Sequence, residues 1–487
     1  VGTSSSDFYK SEVIELHNDN YVVVNPQWNN GAITIDAGAV TWVDGLTGGN
    51  GVISSATSLV GSSDYDRVGA PSYSYSTNSG VVALVNGNYV IANDSWDHNG
   101  VTDVGAVTWA NGNVGMTGLI SINNSLIGSS ANDGVGYEVT ALTNGNYVVQ
   151  SYRWDNGGII DAGAVTWGDG TSGTSGIVSV NNSFTGDREN DRTGSGGITA
   201  LSNGNYVIST PAWHDTHWSF TAGAMTWADG SAGLTGIIDN SNSLVGTTAT
   251  GSFGGTVTAL SNGNYVISNS NLTYWEGPQR YESAGAVTWV DGTVGVIGQI
   301  NSTNSLVGRF YQDYVGSKVV ALDNGNYVVA SPSWSGRDGN GNWHRDTGAV
   351  TWVDGSVGIT GLINSNNSLI GSHYDDSVGT DITVLTNGNY VVSSTRWNEF
   401  SGAVTWADGS TGISGVVNSS NSLIGFASQD MVGYSDSGNG VIALVNGNYV
   451  VTSTRWNNGS VNYAGAVTWG NGLEGVSGYV DNSNSLV

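Results

Sequence analysis

The sequence predicts an all-β protein, an eight-bladed β-propeller made of four-stranded antiparallel blades. Three observations lead there. The tetrad Asn-Tyr-Val-(Val/Ile) returns eight times, with its tyrosine at Tyr21, Tyr89, Tyr147, Tyr206, Tyr265, Tyr327, Tyr390 and Tyr449, at spacings of 58 to 68 residues. Each copy is followed by Gly-Ala-(Val/Met)-Thr-Trp, and turn pairs such as Asn-Gly and Asp-Gly recur beside these runs. No segment carries the 3.6-residue apolar period of a helix. The chain reads as a single repeat domain with copies at about 1–60, 61–127, 128–185, 186–245, 246–307, 308–370, 371–424 and 425–487. The rival fold is a β-helix or solenoid, in which each copy would contribute several coils.

Each element of a copy follows from local chemistry. In the fourth, Gly197-Ile198-Thr199-Ala200-Leu201 alternates as a half-buried strand does, and Ser202-Asn203-Gly204-Asn205 supplies a turn. Tyr206-Val207-Ile208-Ser209 is rich in β-branched and aromatic residues and forms the second strand. Ala222 to Trp227 is the third strand, and Asp229-Gly230 is expected to turn it back as a hairpin. Gly236-Ile237-Ile238 then leads into a fourth strand ending near Asn242-Ser243-Leu244-Val245-Gly246. In Gly-Ala-Val-Thr-Trp, Ala and Thr point to one face and Val and Trp to the other, so a small face can receive a bulky one from the neighbouring blade. Trp42, Trp109, Trp167, Trp227, Trp289, Trp352, Trp406 and Trp469 are therefore read as core. Burying one such ring contributes at most about 4–6 kcal/mol by area.

Composition narrows the function. The 487 residues include 74 glycines, placed at fixed positions of the repeat, and only 10% charged side chains. Carboxylates outnumber Lys and Arg by 39 to 12, a net charge of −27. Such a surface repels nucleic-acid phosphates and anionic lipid, so neither is an expected partner. There are no cysteines, which removes disulfides, zinc thiolates and cysteine nucleophiles. No apolar run is long enough to span a bilayer. A Ser, Thr, Asn and Gly surface suits an extracellular or cell-surface location. The chain opens at Val1 without a leader pattern and reads as a mature or trimmed form; its last residues, Asn484-Ser485-Leu486-Val487, would continue into Val1-Gly2-Thr3 as a regular repeat.

The copies resemble the FG-GAP repeat of integrin α-subunit propellers and related bacterial surface proteins, and also repeats of secreted adhesins of the filamentous-haemagglutinin type. The likeness rests on the order Val315-Gly316, Val319-Val320-Ala321-Leu322, Asp323-Asn324-Gly325-Asn326, Tyr327 to Pro332 and Gly348-Ala349-Val350-Thr351-Trp352. It implies a propeller and a surface or adhesive role. Two departures stand out: integrin propellers have seven repeats where this chain has eight, and the family's calcium loops are aspartate-rich where these turns read Asn-Gly-Asn. No cofactor is expected. The nearest approach to a calcium loop is Asp338-Gly339-Asn340-Gly341-Asn342 with Asp346, which reads rather as an ordinary polar insertion.

Few residues suggest chemistry. A second tryptophan follows the tyrosine strand, at Trp28, Trp96, Trp154, Trp213, Trp275, Trp334, Trp397 and Trp456, often beside Asn or Asp. Exposed, these rings would stack on pyranose faces while the amides reach hydroxyls; buried, they are packing wedges. The only close histidine pair, His214 and His217, lies in a predicted loop with no helix to align it. Asp375-Asp376 and the recurrent Asn-x-Ser/Thr triplets, such as Asn123-Asn124-Ser125 and Asn301-Ser302-Thr303, read as structural. No catalytic residues or metal ligands are predicted. The expected function is a non-enzymatic extracellular structural or adhesive module, a rigid block of a surface layer, filament or large adhesin, with copies of itself or other surface proteins as partners. The alternative is a multivalent glycan-binding propeller with polysaccharide as its partner, and a remoter one is an enzyme in an atypical loop near His214–Trp218 or Arg337–Asp346.

Overall fold

The computed structural model describes residues 11–31, 34–70, 80–215, 221–246, 253, 255–337 and 342–487. It is all-β, and each of the eight copies builds its own small sheet, consistent with an eight-bladed propeller. Two compact units are present: Val1–Val245 with Thr293–Gly298, and Gly246–Gly292 with Gln299–Val487.

The third copy, in the first unit, shows how a sheet forms. Glu138–Ala141 pairs antiparallel with Tyr147–Ser151, and that strand with Ala164–Gly168. The turn closes as Leu142 N–H donates to the Asn146 carbonyl, leaving a three-residue loop whose last position, Gly145, has φ +90°. Left-handed backbone there favours glycine, so the Asn-Gly pair ends a longer turn and is not itself a two-residue hairpin.

The fourth strand departs from expectation. Ala164–Gly168 pairs antiparallel with Phe184–Thr185, which corresponds to the Ser-Leu-Val run of the other copies. The Gly-Ile segment expected to turn back onto its own third strand instead crosses to the previous copy. Gly236–Ile237 of the fourth copy pairs in parallel with Phe184–Thr185 of the third. Each such sheet therefore has five strands, the last contributed by the following copy, and the same parallel pairing recurs at Leu306–Val307 with Gly361–Leu362 in the second unit. The sheet Val441–Ala443, Tyr449–Ser453, Ala466–Gly470 and Ser485–Leu486 has four strands.

The small-against-bulky packing is as expected, but the third-strand tryptophans expected in the core are only partly buried, and Trp469 is exposed. One core joins Val148, Val165 and Phe184 of the third copy, with Trp167 packed against them, to Tyr206, Ala222, Ala224 and Ala228 of the fourth. In the second unit Val266, Val287 and Leu306, with Trp289, meet Tyr327, Ala349 and Val353 in the same way. Polar pairs sit within this apolar frame. Thr166 and Ser183 share a hydroxyl hydrogen bond of 2.7 Å, and the equivalent pair forms in all eight copies, from Thr41 with Ser58 to Thr468 with Ser485. Ser125 of the Asn123-Asn124-Ser125 triplet is thus committed to the sheet, whereas Thr303 of Asn301-Ser302-Thr303 bonds back to Asn301. Trp397–Phe400, the helical stretch among the described residues, is a left-handed turn with φ 48° at Asn398 and 57° at Glu399. No helix among the described residues is long and apolar enough to cross a membrane.

Candidate functional site

The recurrent chemistry of the chain lies at the junction between successive copies. In six of the copies the two asparagines of the turn and the tryptophan of the third strand converge on one glycine carbonyl of the next copy. Asn144 Nδ2, Asn146 Nδ2 and Trp167 Nε1 donate to the Gly230 carbonyl at 2.8, 2.9 and 2.8 Å. The Gly230 N–H in turn donates to Asn205 Oδ1 at 3.0 Å, so the same glycine is held through both its N–H and its carbonyl. The three-donor clamp recurs on Gly112, Gly170, Gly355, Gly409 and Gly472.

Glycine is required beneath the ring. Gly233 has φ +73°, and a Cβ there would lie 2.4 Å from the Trp167 Cβ. The clamp also explains why the turns carry asparagine and not aspartate. Asn146 must accept from Gly170 N–H through Oδ1 and donate to Gly230 through Nδ2, and a carboxylate offers only acceptors.

A second device was missed in the sequence. An aspartate five residues after the glycine that ends the fourth strand is fully buried: Asp66, Asp133, Asp191, Asp313, Asp376 and Asp430 are at most 1% exposed. One oxygen of Asp313 accepts from the N–H groups of Arg309 and Phe310, both at 2.8 Å, and the other from Ser335 N–H at 3.1 Å, just after the second tryptophan of the same copy. Asp133 and Asp376 repeat this arrangement with Asp155 and Asn398. Burial raises Asp66 and Asp313 to about 6 against the opposing pull of their N–H donors. The recurrence of Gly-(x)4-Asp was the available signal, obscured because the four intervening residues vary.

The tryptophans considered as sugar-stacking rings are placed otherwise. Trp28, Trp96, Trp154, Trp213, Trp334, Trp397 and Trp456 are only 1–8% exposed and pack in the cores, so they offer no free face to a pyranose. Trp275 is 45% exposed, but it is not the structural equivalent of the others. Leu272 fills their place, its carbonyl accepting from Gly285 as the Trp154 carbonyl accepts from Gly163, and Trp275 lies on an added hairpin opposite Arg280.

His214 Nδ1 meets Asp191 Oδ1 at 2.9 Å, while His217 lies outside the described residues, as do Trp218 and Asp338 to Gly341. Among the described residues no group of three or more His, Cys, Asp or Glu is arranged to hold a metal ion.

One cavity of about 600 Å³ opens within the second unit, at the edge of the fifth sheet. It is bounded by Arg309 and Phe310, by Trp334, and by Arg337 and Trp343 on the added hairpin Gly336–Arg337 and Trp343–His344.

These features define a tandem β-repeat protein whose copies are joined by shared strands and side-chain clamps. The chain belongs to the family of the repeat of unknown function DUF5650, which matches residues 15–70, 83–137, 141–195, 200–255, 259–317, 321–380, 384–434 and 443–487. No curated protein matches the sequence. Among solved structures, the crystal structure of the eukaryotic initiation factor is similar over 81% of this chain and 74% of that one, at 9% identity and a TM-score of 0.34. That score carries no argument about fold or function.

Proposed function

We propose that the chain is a non-enzymatic extracellular structural or adhesive module, a rigid building block of a surface layer, filament or large adhesin of the FG-GAP-like kind. The observation that carries this reading is the standardised junction. Its polar side chains are spent on holding one repeat to the next, and any repeat of the same kind can use it. The Trp469 indole is 55% exposed and has no acceptor among the described residues, whereas Trp406 donates to Gly472 at 3.0 Å. The face around Trp469, Asn448 and the edge strand Ser485–Leu486 therefore suits a further repeat, from the same polypeptide or another molecule. The acidic, lysine-poor and cysteine-free composition fits the extracellular setting.

Electron microscopy of the purified chain over a concentration series tests the proposal. Ordered end-to-end assemblies are expected, and they should be lost in Trp469→Ala. Isolated particles at every concentration would overturn the self-assembling form of the reading.

A further inference from the structure

We infer that the cavity of the sixth copy is a binding site for a carboxylate-bearing sugar, a uronic acid within an acidic oligosaccharide. This goes beyond the structural reading and does not depend on assembly.

The groove is chemically unlike the rest of the chain. Its volume, about 600 Å³, is in the range of small-molecule sites. Two of the 12 basic residues of a chain with net charge −27 border it, Arg309 and Arg337. Arg309 is exposed, and its guanidinium forms no ion pair among the described residues. The guanidinium of Arg337 lies over the Trp343 ring, 5.1 Å from its centroid, and Phe310 meets Trp343 edge-on at 3.9 Å. Trp343 remains 45% exposed in this braced position.

At the corresponding loop the other copies lack this set. Gly61 is followed by Ser62-Ser63, Gly128 by Ser129-Ser130 and Gly371 by Ser372-His373, where Gly308 is followed by Arg309-Phe310.

Each part matches a part of a uronic acid. A guanidinium fork pairs with a carboxylate through two parallel N–H bonds. A held aromatic ring takes the C–H face of a pyranose. Asn364 and Ser365 add polar groups to the lining that can meet the ring hydroxyls. The long-range field of the chain repels anions, so the carboxylate must be met at short range by the guanidinium groups.

The test is calorimetric titration of the full chain with trigalacturonate and with its methyl ester, which keeps the rings and removes the charge. Saturable binding of the acid is expected, weakened at least about tenfold in the ester and in Arg309→Ala, as loss of a charge-assisted pair implies. Trp343→Ala should weaken both ligands. Both side chains are exposed, so unchanged thermal unfolding checks that the variants fold, and Arg67→Ala, outside the groove, should bind as the parent does. Equal binding of acid and ester, no saturable heat with the acid, or unaltered binding in Arg309→Ala would overturn the inference. Binding of a sulfated oligosaccharide with exclusion of trigalacturonate would overturn the carboxylate assignment. None of these outcomes bears on end-to-end assembly.

Discussion

Asn146→Asp changes one atom pair and tests the logic of the junction. The parent amide accepts from Gly170 N–H at 3.0 Å and donates to the Gly230 carbonyl at 2.9 Å. Aspartate keeps the first bond and loses the second, costing about 1 kcal/mol. It also sets a half-buried carboxylate oxygen against a carbonyl oxygen, adding roughly 1–3 kcal/mol of repulsion and desolvation. The expected loss at neutral pH is therefore about 2–4 kcal/mol.

The sign with pH follows. The introduced carboxyl is neutral more readily in the folded state, because the acid O–H can donate to Gly230, so its folded value lies above the ordinary one. The penalty is full above that folded value and shrinks as pH falls through it. Asn448→Asp is the internal control: Asn448 accepts from Gly472 N–H at 3.0 Å, and its Nδ2 has no acceptor among the described residues. That variant should stay within about 0.5 kcal/mol of the parent. Denaturant unfolding followed by tryptophan fluorescence, at about pH 7 and about pH 4.5, reads both effects. Equal destabilisation at the two positions, or a loss at Asn146 that does not ease in acid, would refute the donor argument.

Other outcomes follow from the same interfaces. Gly173→Ala places a Cβ 2.7 Å from the Trp109 Cβ at φ +77° and should cost about 2–5 kcal/mol, measured by denaturant unfolding. Asp66 and Asp313, raised by burial to about 6, favour the folded state fully below about 4, and this contribution is lost as pH rises through about 6. Each is worth up to about 3 kcal/mol, so thermal unfolding should occur at higher temperature near pH 5 than near pH 7, and replacing Asp313 with Ala should flatten that profile. Trp213→Ala should destabilise by about 3–5 kcal/mol and Trp275→Ala by under about 1 kcal/mol, although the two look alike in the repeat; urea titration separates them.

Much of the fold was legible because its signals are local. Tyr147-Val148-Val149 announces a strand by its own side chains, and Asn144-Gly145 the turn before it. The alternation in Ala164 to Trp167 told which face is bulky. The fourth strand was misplaced because Gly236–Ile237 finds its partner at Phe184–Thr185, some fifty residues back, and two residues carry no periodicity that could announce a parallel pairing. Trp275 misled because it stands near the repeat position that Leu272 fills, and an inserted hairpin shifts the ring outward. At the junction the Asn-Gly-Asn turns were noticed, yet only their distance to the next glycine carbonyl shows what their amides do. The sixth-copy groove was visible in sequence solely as an enlarged loop, since Arg309 and Trp343 are 34 residues apart and meet through the sheet edge.

The borrowed strand also sets the grain size of this molecule. One period of sequence does not contain one complete sheet, because the fifth strand of a sheet such as Glu138–Ala141 to Gly236–Ile237 arrives from the next period. A copy excised at its sequence boundaries would lack both a strand and the carbonyl its amides grip. Lengthening or shortening such an array by gene duplication or deletion is therefore neutral only in whole periods, cut at matching positions in two copies. Any other excision leaves one sheet with a missing edge and its neighbour with an orphaned one.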